Sequence, residues 1–131
     1  MTYTPTTLDD IIGTDSAEEA SARHTIEILL EQSKVRQWLE SLADRSTVGL
    51  AGNGCRCLIA NYLSAVSTDP TLSFWIDEYV TTVNQNHYQF ICVRHPEWLA
   101  TFIFRLDCLG SLSEITKESA LKILNQIKEG E

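Results

Sequence analysis

The chain has 131 residues, of which 44% are hydrophobic and 21% are charged, and its formal net charge is −8. This length and apolar content suit one domain whose core needs neither disulfides nor a structural metal. The negative balance argues against nucleic acid and anionic membranes as partners, because its field repels polyanions. No apolar run approaches the roughly 18 residues of a membrane span.

Cysteine usage points to a reducing compartment. Cys55, Cys57, Cys92 and Cys108 are too few for the disulfide scaffold of a secreted domain of this size. The first residues have neither the basic stretch nor the apolar stretch of a secretory leader. We therefore expect reduced thiols and a cytoplasmic protein.

Two helices are predicted after a flexible tail over residues 1–15. Ser16 and Glu19 have the spacing of a capping box, which marks the start of the first helix. A second apolar stripe runs to about Ala43. Its change of phase near Ser33 predicts a break between the two helices.

The segment 46–76 is nearly uncharged, with charges only on Arg56 and Asp69. Such a stretch is typical of buried structure or of a surface that lies against a partner. Inside it, one apolar stripe predicts a helix that ends before Asp69: Leu58, Ile59, Tyr62, Leu63 and Val66.

Residues 72–94 fit two kinds of structure. The spacing of the apolar residues suits a helix, but the density of aromatic and β-branched residues favours strands. The run from Asn84 to His87 has the composition of a turn. We therefore predict a β-hairpin that pairs residues 73–82 with residues 88–94, and an all-α fold is the alternative.

Two further helices are predicted at the C-terminal end. His95 and Pro96 begin the first of them, and Gly110 ends it. Thr116 caps the second, whose three lysines are predicted to face solvent: Lys117, Lys122 and Lys128. The fold predicted from these elements is a helix-rich α+β domain over residues 16–131, with about four to five helices and one small antiparallel hairpin.

The feature with the most chemical potential is one short run: Gly52, Asn53, Gly54, Cys55, Arg56 and Cys57. If Asn53 or Gly54 caps the next helix, both thiols lie among free backbone N–H groups, which stabilise an anion or a thiolate. That arrangement predicts a low-pKa thiol, a Cys-x-Cys redox pair or a small-anion site at Arg56. The alternative is a tight glycine turn with at least one cysteine in the core. A P-loop is excluded, because its lysine is missing.

A zinc site is a further alternative for the cysteines. Cys55, Cys57, Cys92 and His95 form two close pairs of zinc-type ligands. However, Cys-x-Cys is a less usual zinc clamp than Cys-x₂-Cys, and Cys92 falls on the buried face of the predicted strand. We therefore predict no cofactor.

Catalytic patterns find little support. The chain has no Gly-x-Ser-x-Gly elbow, and its histidines are scattered. Asp77 and Glu78 would point to opposite faces of the predicted strand, so they do not predict an acid–base pair. Phe104 lies off the buried stripe of its helix and is predicted as an exposed interface aromatic. The other aromatic side chains of this region are predicted in the core, with the lining of a ligand cavity as the alternative: Trp75, Tyr79, Trp98 and Phe102.

The residues therefore favour a small acidic, soluble, non-enzymatic protein-interaction or regulatory module that binds another protein or a second copy of itself. One alternative is a thiol- or metal-dependent protein that uses the Cys-x-Cys turn. The other is a small-anion or ligand binder at the same turn, with Arg56 supplying the charge.

Overall fold

The computed structural model describes residues 16–110 and 112–128, which contain five helices and five strands. The helices are α1 (Ala17–Leu29), α2 (Gln32–Ser41), α3 (Leu58–Val66), α4 (Glu97–Asp107) and α5 (Lys117–Asn125). The strands are β1 (Thr47–Leu50), β2 (Leu72–Ile76), β3 (Val80–Gln85), β4 (Tyr88–Arg94) and β5 (Glu114–Thr116). None of the described helices is long and apolar enough to cross a membrane. The tail predicted over residues 1–15 lies outside the described residues.

The strands form two antiparallel sheets, so the α+β prediction is confirmed and the all-α alternative is wrong. One sheet is a three-stranded meander in the order β2–β3–β4, in which Phe74, Val83 and Ile91 lie opposite one another on its buried face. The other sheet pairs β1 with β5, and places Thr47 opposite Thr116. Neither β1 nor β5 was predicted, because strands this short carry too few residues to show an alternating pattern.

The predicted strand over residues 73–82 is divided in two, which corrects the single hairpin. β2 ends at Ile76 and β3 begins at Val80, with Asp77 and Glu78 in the turn between them. Aspartate and glutamate are depleted in strands, so they interrupt an otherwise strand-forming run. The next turn lies inside the predicted one, at Asn86 and His87, which have positive φ values of 52° and 73°.

The N-terminal helices begin and end close to where the sequence predicts. The Ser16 side chain accepts the N–H of Glu19, and the Glu19 side chain accepts the N–H of Ser16, so the predicted capping box is confirmed. The break between the helices falls at Leu30 and Glu31, just before the predicted position at Ser33.

Tyr62 of α3 is the largest fully buried side chain among the described residues, and it contacts both α1 and α2. Its hydroxyl donates to the carbonyl oxygen of Leu29 at 2.5 Å, and its ring meets Trp38 edge-on with 5.4 Å between the ring centroids. Burial, helped by the nearby charge of Glu31, raises the pKa of Tyr62 to about 12. The hydroxyl therefore stays protonated and remains a donor to the end of α1.

Lys117 does not face solvent, which corrects its predicted orientation. The last helix is capped by Thr116 as predicted, but it begins beside the C-terminal end of α2. There the Lys117 ammonium donates to the carbonyl oxygens of Leu42 at 2.6 Å and Glu40 at 3.3 Å, and the side chain is only 13% exposed. A cation at this end of a helix satisfies carbonyl groups that have no partner within the helix.

Both outer strands of the meander are bonded to groups outside the sheet. The N–H of Ile76 on β2 donates to the carbonyl oxygen of Gly54 at 2.7 Å. On β4, the guanidinium of Arg23 from α1 donates to the carbonyl oxygen of Cys92. Backbone groups on both outer strands therefore have partners, although a sheet edge commonly leaves them to solvent.

Candidate functional site

The glycine turn over residues 51–57 joins β1 to α3, and its cap differs from the prediction. The Asn53 carboxamide oxygen accepts the N–H groups of Cys55 at 3.2 Å and Arg56 at 3.0 Å. Asn53 thus closes a local turn of the kind that asparagine favours, and the helix begins only at Leu58 with Cys57 as its N-cap. Asn53 and Gly54 are therefore not the N-cap. Cys55 and Arg56 precede the helix and are exposed.

The same turn is fastened to two other elements. The N–H of Gly52 donates to the Asp107 carboxylate at the end of α4, at 2.9 Å. The carbonyl of Gly54 takes the N–H of Ile76 on β2, as described above. Gly52 has a φ of 71°, a conformation that glycine adopts without the cost of a side chain. The turn therefore bridges α4 and the meander.

Gly54 also packs against the side chain of Trp75. A Cβ atom added to Gly54 would lie 2.6 Å from Cε2 of Trp75 and 3.0 Å from both Cδ2 and Cζ2. Because Cε2 and Cδ2 form the bond shared by the two rings, the indole lies with its face over the glycine. The indole remains 47% exposed. This contact requires a residue without a side chain at position 54.

A depression of about 200 Å³ opens beside this tryptophan, between the glycine turn, α4 and the turn after β2. Three carboxylate residues line it, Asp77, Glu78 and Asp107, together with Trp75 and the half-buried Cys57. Asp77 and Glu78 lie in a turn rather than in the predicted strand, so the strand argument that they diverge does not apply, and both residues line this depression. The depression therefore carries concentrated negative charge.

Arg56 does not contribute to this depression. Gly52, Asn53 and Gly54 line it, but Arg56 does not, and none of the lining residues is Lys or Arg. Three carboxylates would repel an anion at this place. The small-anion alternative therefore finds no support in the geometry of the turn.

A second depression, of about 350 Å³, adjoins the first along α4 and shares Glu78 with it. It is lined by Tyr79 from the turn and by Glu97 and Phe104 from α4. Glu97, Phe104 and Asp107 recur at the spacing of one helix face. We call the combined region the acid–aromatic surface and define it by Trp75, Asp77, Glu78, Tyr79, Glu97, Phe104 and Asp107.

The aromatic side chains divide between the core and this surface. Trp98 and Phe102 are buried, as predicted. Tyr79 is 66% exposed and Phe104 is 56% exposed, so the predicted exposure of Phe104 is confirmed, whereas the predicted burial is wrong for Tyr79 and for the half-exposed Trp75. A hydrogen bond to the Glu78 carboxylate, together with its charge, raises the pKa of Tyr79. Tyr79 therefore stays neutral near pH 7.

The cysteines of the turn do not resemble an activated pair. Burial raises the pKa of the Cys57 thiol, so the protonated form is favoured, and a protonated thiol is a weak nucleophile and a poor metal ligand. Cys55 is exposed, and its sulfur lies 3.4 Å from the Asn53 carboxamide oxygen. All four cysteines of the chain are free thiols in the structure. The low-pKa thiol and the redox pair therefore gain no support.

The proposed zinc ligands do not assemble. Among the described residues, no group of three or more histidine, cysteine, aspartate or glutamate side chains is arranged to hold a metal ion. Cys92 is half-buried on β4 between the buried Ile91 and Val93, so it lies on the face of the meander opposite to the predicted one. Both ring nitrogens of His95 already have protein partners.

His95 forms a buried link between α4 and the meander. Its Nδ1 lies 2.9 Å from the carbonyl oxygen of Glu78, and its Nε2 lies 2.6 Å from the hydroxyl of Thr81. Burial lowers the pKa of His95, against smaller raising effects from the Glu78 carbonyl and the Asp77 charge. A hydroxyl beside an imidazole resembles a nucleophile and its base, but Thr81 is fully buried, so a substrate has no access to it. The pair is structural.

Sequence reasoning named the glycine turn, considered Asp77 and Glu78 but set them aside as strand residues, and missed Asp107. An Asp–Glu pair inside a run of strand-forming residues is a turn signal, and with a turn at Asp77 the two acids need not diverge. No protein-family model, curated protein or solved structure matches this chain.

Proposed function

We propose that this chain is a non-enzymatic protein-interaction module and that the acid–aromatic surface is its docking site. The observation that carries this proposal is the exposure of Trp75, Tyr79 and Phe104 beside two adjoining depressions. Tryptophan and tyrosine are enriched among the residues that dominate binding energy at protein interfaces. Aromatic side chains gathered around a depression mark an interaction site more strongly than scattered ones.

The partner is another protein rather than a second copy of this chain. Two copies would bring acidic surfaces together on molecules that each carry a net charge of −8, and like charges oppose such an encounter. The unpaired cysteines support a reducing compartment, so we place the interaction in the cytoplasm.

Site-specific photocrosslinking tests this proposal. Phe104 is replaced by the photoreactive residue benzoylphenylalanine in the full chain, which is expressed in cells and irradiated. We expect a defined crosslinked product that disappears when Trp75→Ala is added, because both side chains belong to one surface.

Tyr88 provides the matched control, since it is an exposed aromatic residue on β4, outside the acid–aromatic surface. The same photoreactive residue at position 88 is expected to give no such product. If positions 88 and 104 gave the same products, or if position 104 gave none, the surface would not be a specific docking site.

A further inference from the structure

The carboxylates of the acid–aromatic surface determine the chemistry of what it binds. Asp77, Glu78 and Asp107 surround the first depression, and Glu78 and Glu97 line the second. None of the residues that line either depression is Lys or Arg. A positively charged group would therefore meet carboxylates that no lysine or arginine of the lining neutralises, whereas an anionic group would be repelled and a purely apolar group would leave their charge unbalanced.

Trp75 adds a platform for a cation. One face of its indole lies on Gly54, so the opposite face is turned away from that glycine, and the side chain is 47% exposed. The face of an indole ring attracts guanidinium and ammonium groups, with tryptophan the strongest of the aromatic residues in this respect. The ring and the carboxylates border the same depression.

The size of the first depression points to a side chain rather than to a whole small molecule. Its volume of about 200 Å³ lies below the ~300–1,000 Å³ typical of sites for small molecules and cofactors. The second depression shares Glu78 with the first and lies along the preceding turns of α4, where Phe104 offers an apolar contact for a neighbouring residue. An extended segment can occupy both places at once.

We propose that the acid–aromatic surface binds a basic segment of a partner protein, with an arginine or lysine side chain between Trp75 and the carboxylates of the first depression. An apolar residue of the same segment lies against Phe104 and Tyr79. This inference rests on the proposed function and adds the chemistry of the partner. The net charge of −8 also attracts a basic partner over a distance.

Selection from a random peptide library displayed on phage tests the inference with the purified full chain as bait. We expect the selected peptides to be enriched in arginine or lysine next to an apolar or aromatic residue. A synthetic copy of a selected peptide should lose about tenfold in affinity when its arginine is replaced by the neutral isostere citrulline, as expected for one charge-assisted contact. The affinity should also fall as salt is added.

Variants of the chain locate the site. Trp75→Ala and Glu78→Gln should each weaken binding of the selected peptide by about tenfold. Tyr88→Ala and Glu40→Gln are the matched controls, because Tyr88 is an exposed aromatic and Glu40 an exposed acid outside the surface. Both controls should bind as the unchanged chain does. If the control variants lost as much affinity as Trp75→Ala and Glu78→Gln, binding would not be specific to the acid–aromatic surface, and the inference would be overturned.

The other outcomes separate this inference from the proposed function. The selected peptides could lack basic residues and still depend on Trp75 for binding. That result would overturn the inference of a basic partner but would not contradict the proposed docking site. Binding that ignores Trp75 and Glu78 would overturn both. A dimer in sedimentation velocity that Trp75→Ala dissociates would show that a second copy occupies the surface, and would also overturn the inference.

Discussion

Nδ1 of His95 lies 2.9 Å from the carbonyl oxygen of Glu78, which ties the residues before α4 to the turn that carries the acid–aromatic surface. The backbone adds a second link, since the N–H of His95 donates to the carbonyl of Tyr79 at 2.8 Å. Two hydrogen bonds from His95 to backbone carbonyls therefore hold the turn between β2 and β3, and they leave the side chains of its acids unused. A rigid turn keeps the docking surface formed before a partner arrives, which lowers the entropic cost of binding.

The stability of the chain should depend on pH through His95. Burial lowers its pKa below the ordinary value of 6.5, so the unfolded chain takes up a proton at a pH where the folded chain does not. The free energy of unfolding should therefore decrease as the pH falls from about 7 to about 5.5. Urea unfolding at a series of pH values measures this dependence.

His95→Gln should flatten that pH dependence, whatever it does to stability at neutral pH. His24 lies exposed on α1, so His24→Gln is the matched control and should keep the original slope. Equal slopes in the two variants would show that His95 is not the group responsible.

Gly49→Ala should destabilise the fold more than Gly54→Ala does. A Cβ atom at position 49 would lie 2.4 Å from the backbone nitrogen of Leu58, and backbone cannot move aside without displacing α3. We expect a loss of about 1–3 kcal/mol or more. At position 54 the obstacle is the half-exposed Trp75 ring, which can rotate away at smaller cost.

The two glycine variants should also differ in tryptophan fluorescence and in binding. Gly54→Ala should shift the fluorescence emission of Trp75 and weaken binding of the selected peptide, while the chain remains folded. If Gly54→Ala left both the emission and the affinity unchanged, the packing of Trp75 on Gly54 would not be needed for peptide binding.

Tyr62→Phe should cost about 0.5–1.5 kcal/mol, because the Leu29 carbonyl loses the hydroxyl that donates to it in the interior. Tyr88→Phe removes the same atom from an exposed side chain and should change stability by less than about 0.5 kcal/mol. Chemical denaturation of both variants gives the comparison. Equal effects would mean that the Tyr62 hydroxyl contributes nothing beyond its ring.

Lys117→Met should cost about 1–2 kcal/mol, since the carbonyl groups of Glu40 and Leu42 lose a charged donor at the end of α2. Its ion pair with Asp44 adds little, because Asp44 is almost fully exposed. Lys128→Met, at an exposed position, is the control and should be nearly neutral. A neutral Lys117→Met would show that solvent replaces the lysine without cost.

The helices were predictable because their signals are local. Ser16 and Glu19 cap α1 within four residues of sequence, and Thr116 caps α5 in the same way. The orientation of Lys117 was not predictable, because its partners belong to α2 and only the tertiary fold brings them near. The pairing of β1 with β5 likewise depends on contacts between distant segments.

The candidate site was half visible in the sequence. The glycine turn and Phe104 could be named from composition and spacing alone. The convergence of Asp77, Glu78 and Asp107 could not, because it depends on where β2 ends and on how α4 lies against that end. Patterns in one sequence locate strands better than they locate the ends of strands. Here the end of β2 was predicted too late, so Asp77 and Glu78 were assigned to a strand instead of a turn.

The pairing of β1 with β5 has a consequence for the order in which the chain folds. Helix α3, the meander and α4 all lie between these strands in sequence, so their pairing closes a long loop at an entropic cost that the strands of the meander do not carry. We therefore expect the meander to form before this pair. Pulsed hydrogen exchange would contradict that order if the amides of β1 and β5 were protected before those of the meander. The glycine turn is hydrogen-bonded to the segment just before β5, through Ala51 to Leu112 and Ser113. During synthesis, the docking surface is therefore completed only after that segment has left the ribosome.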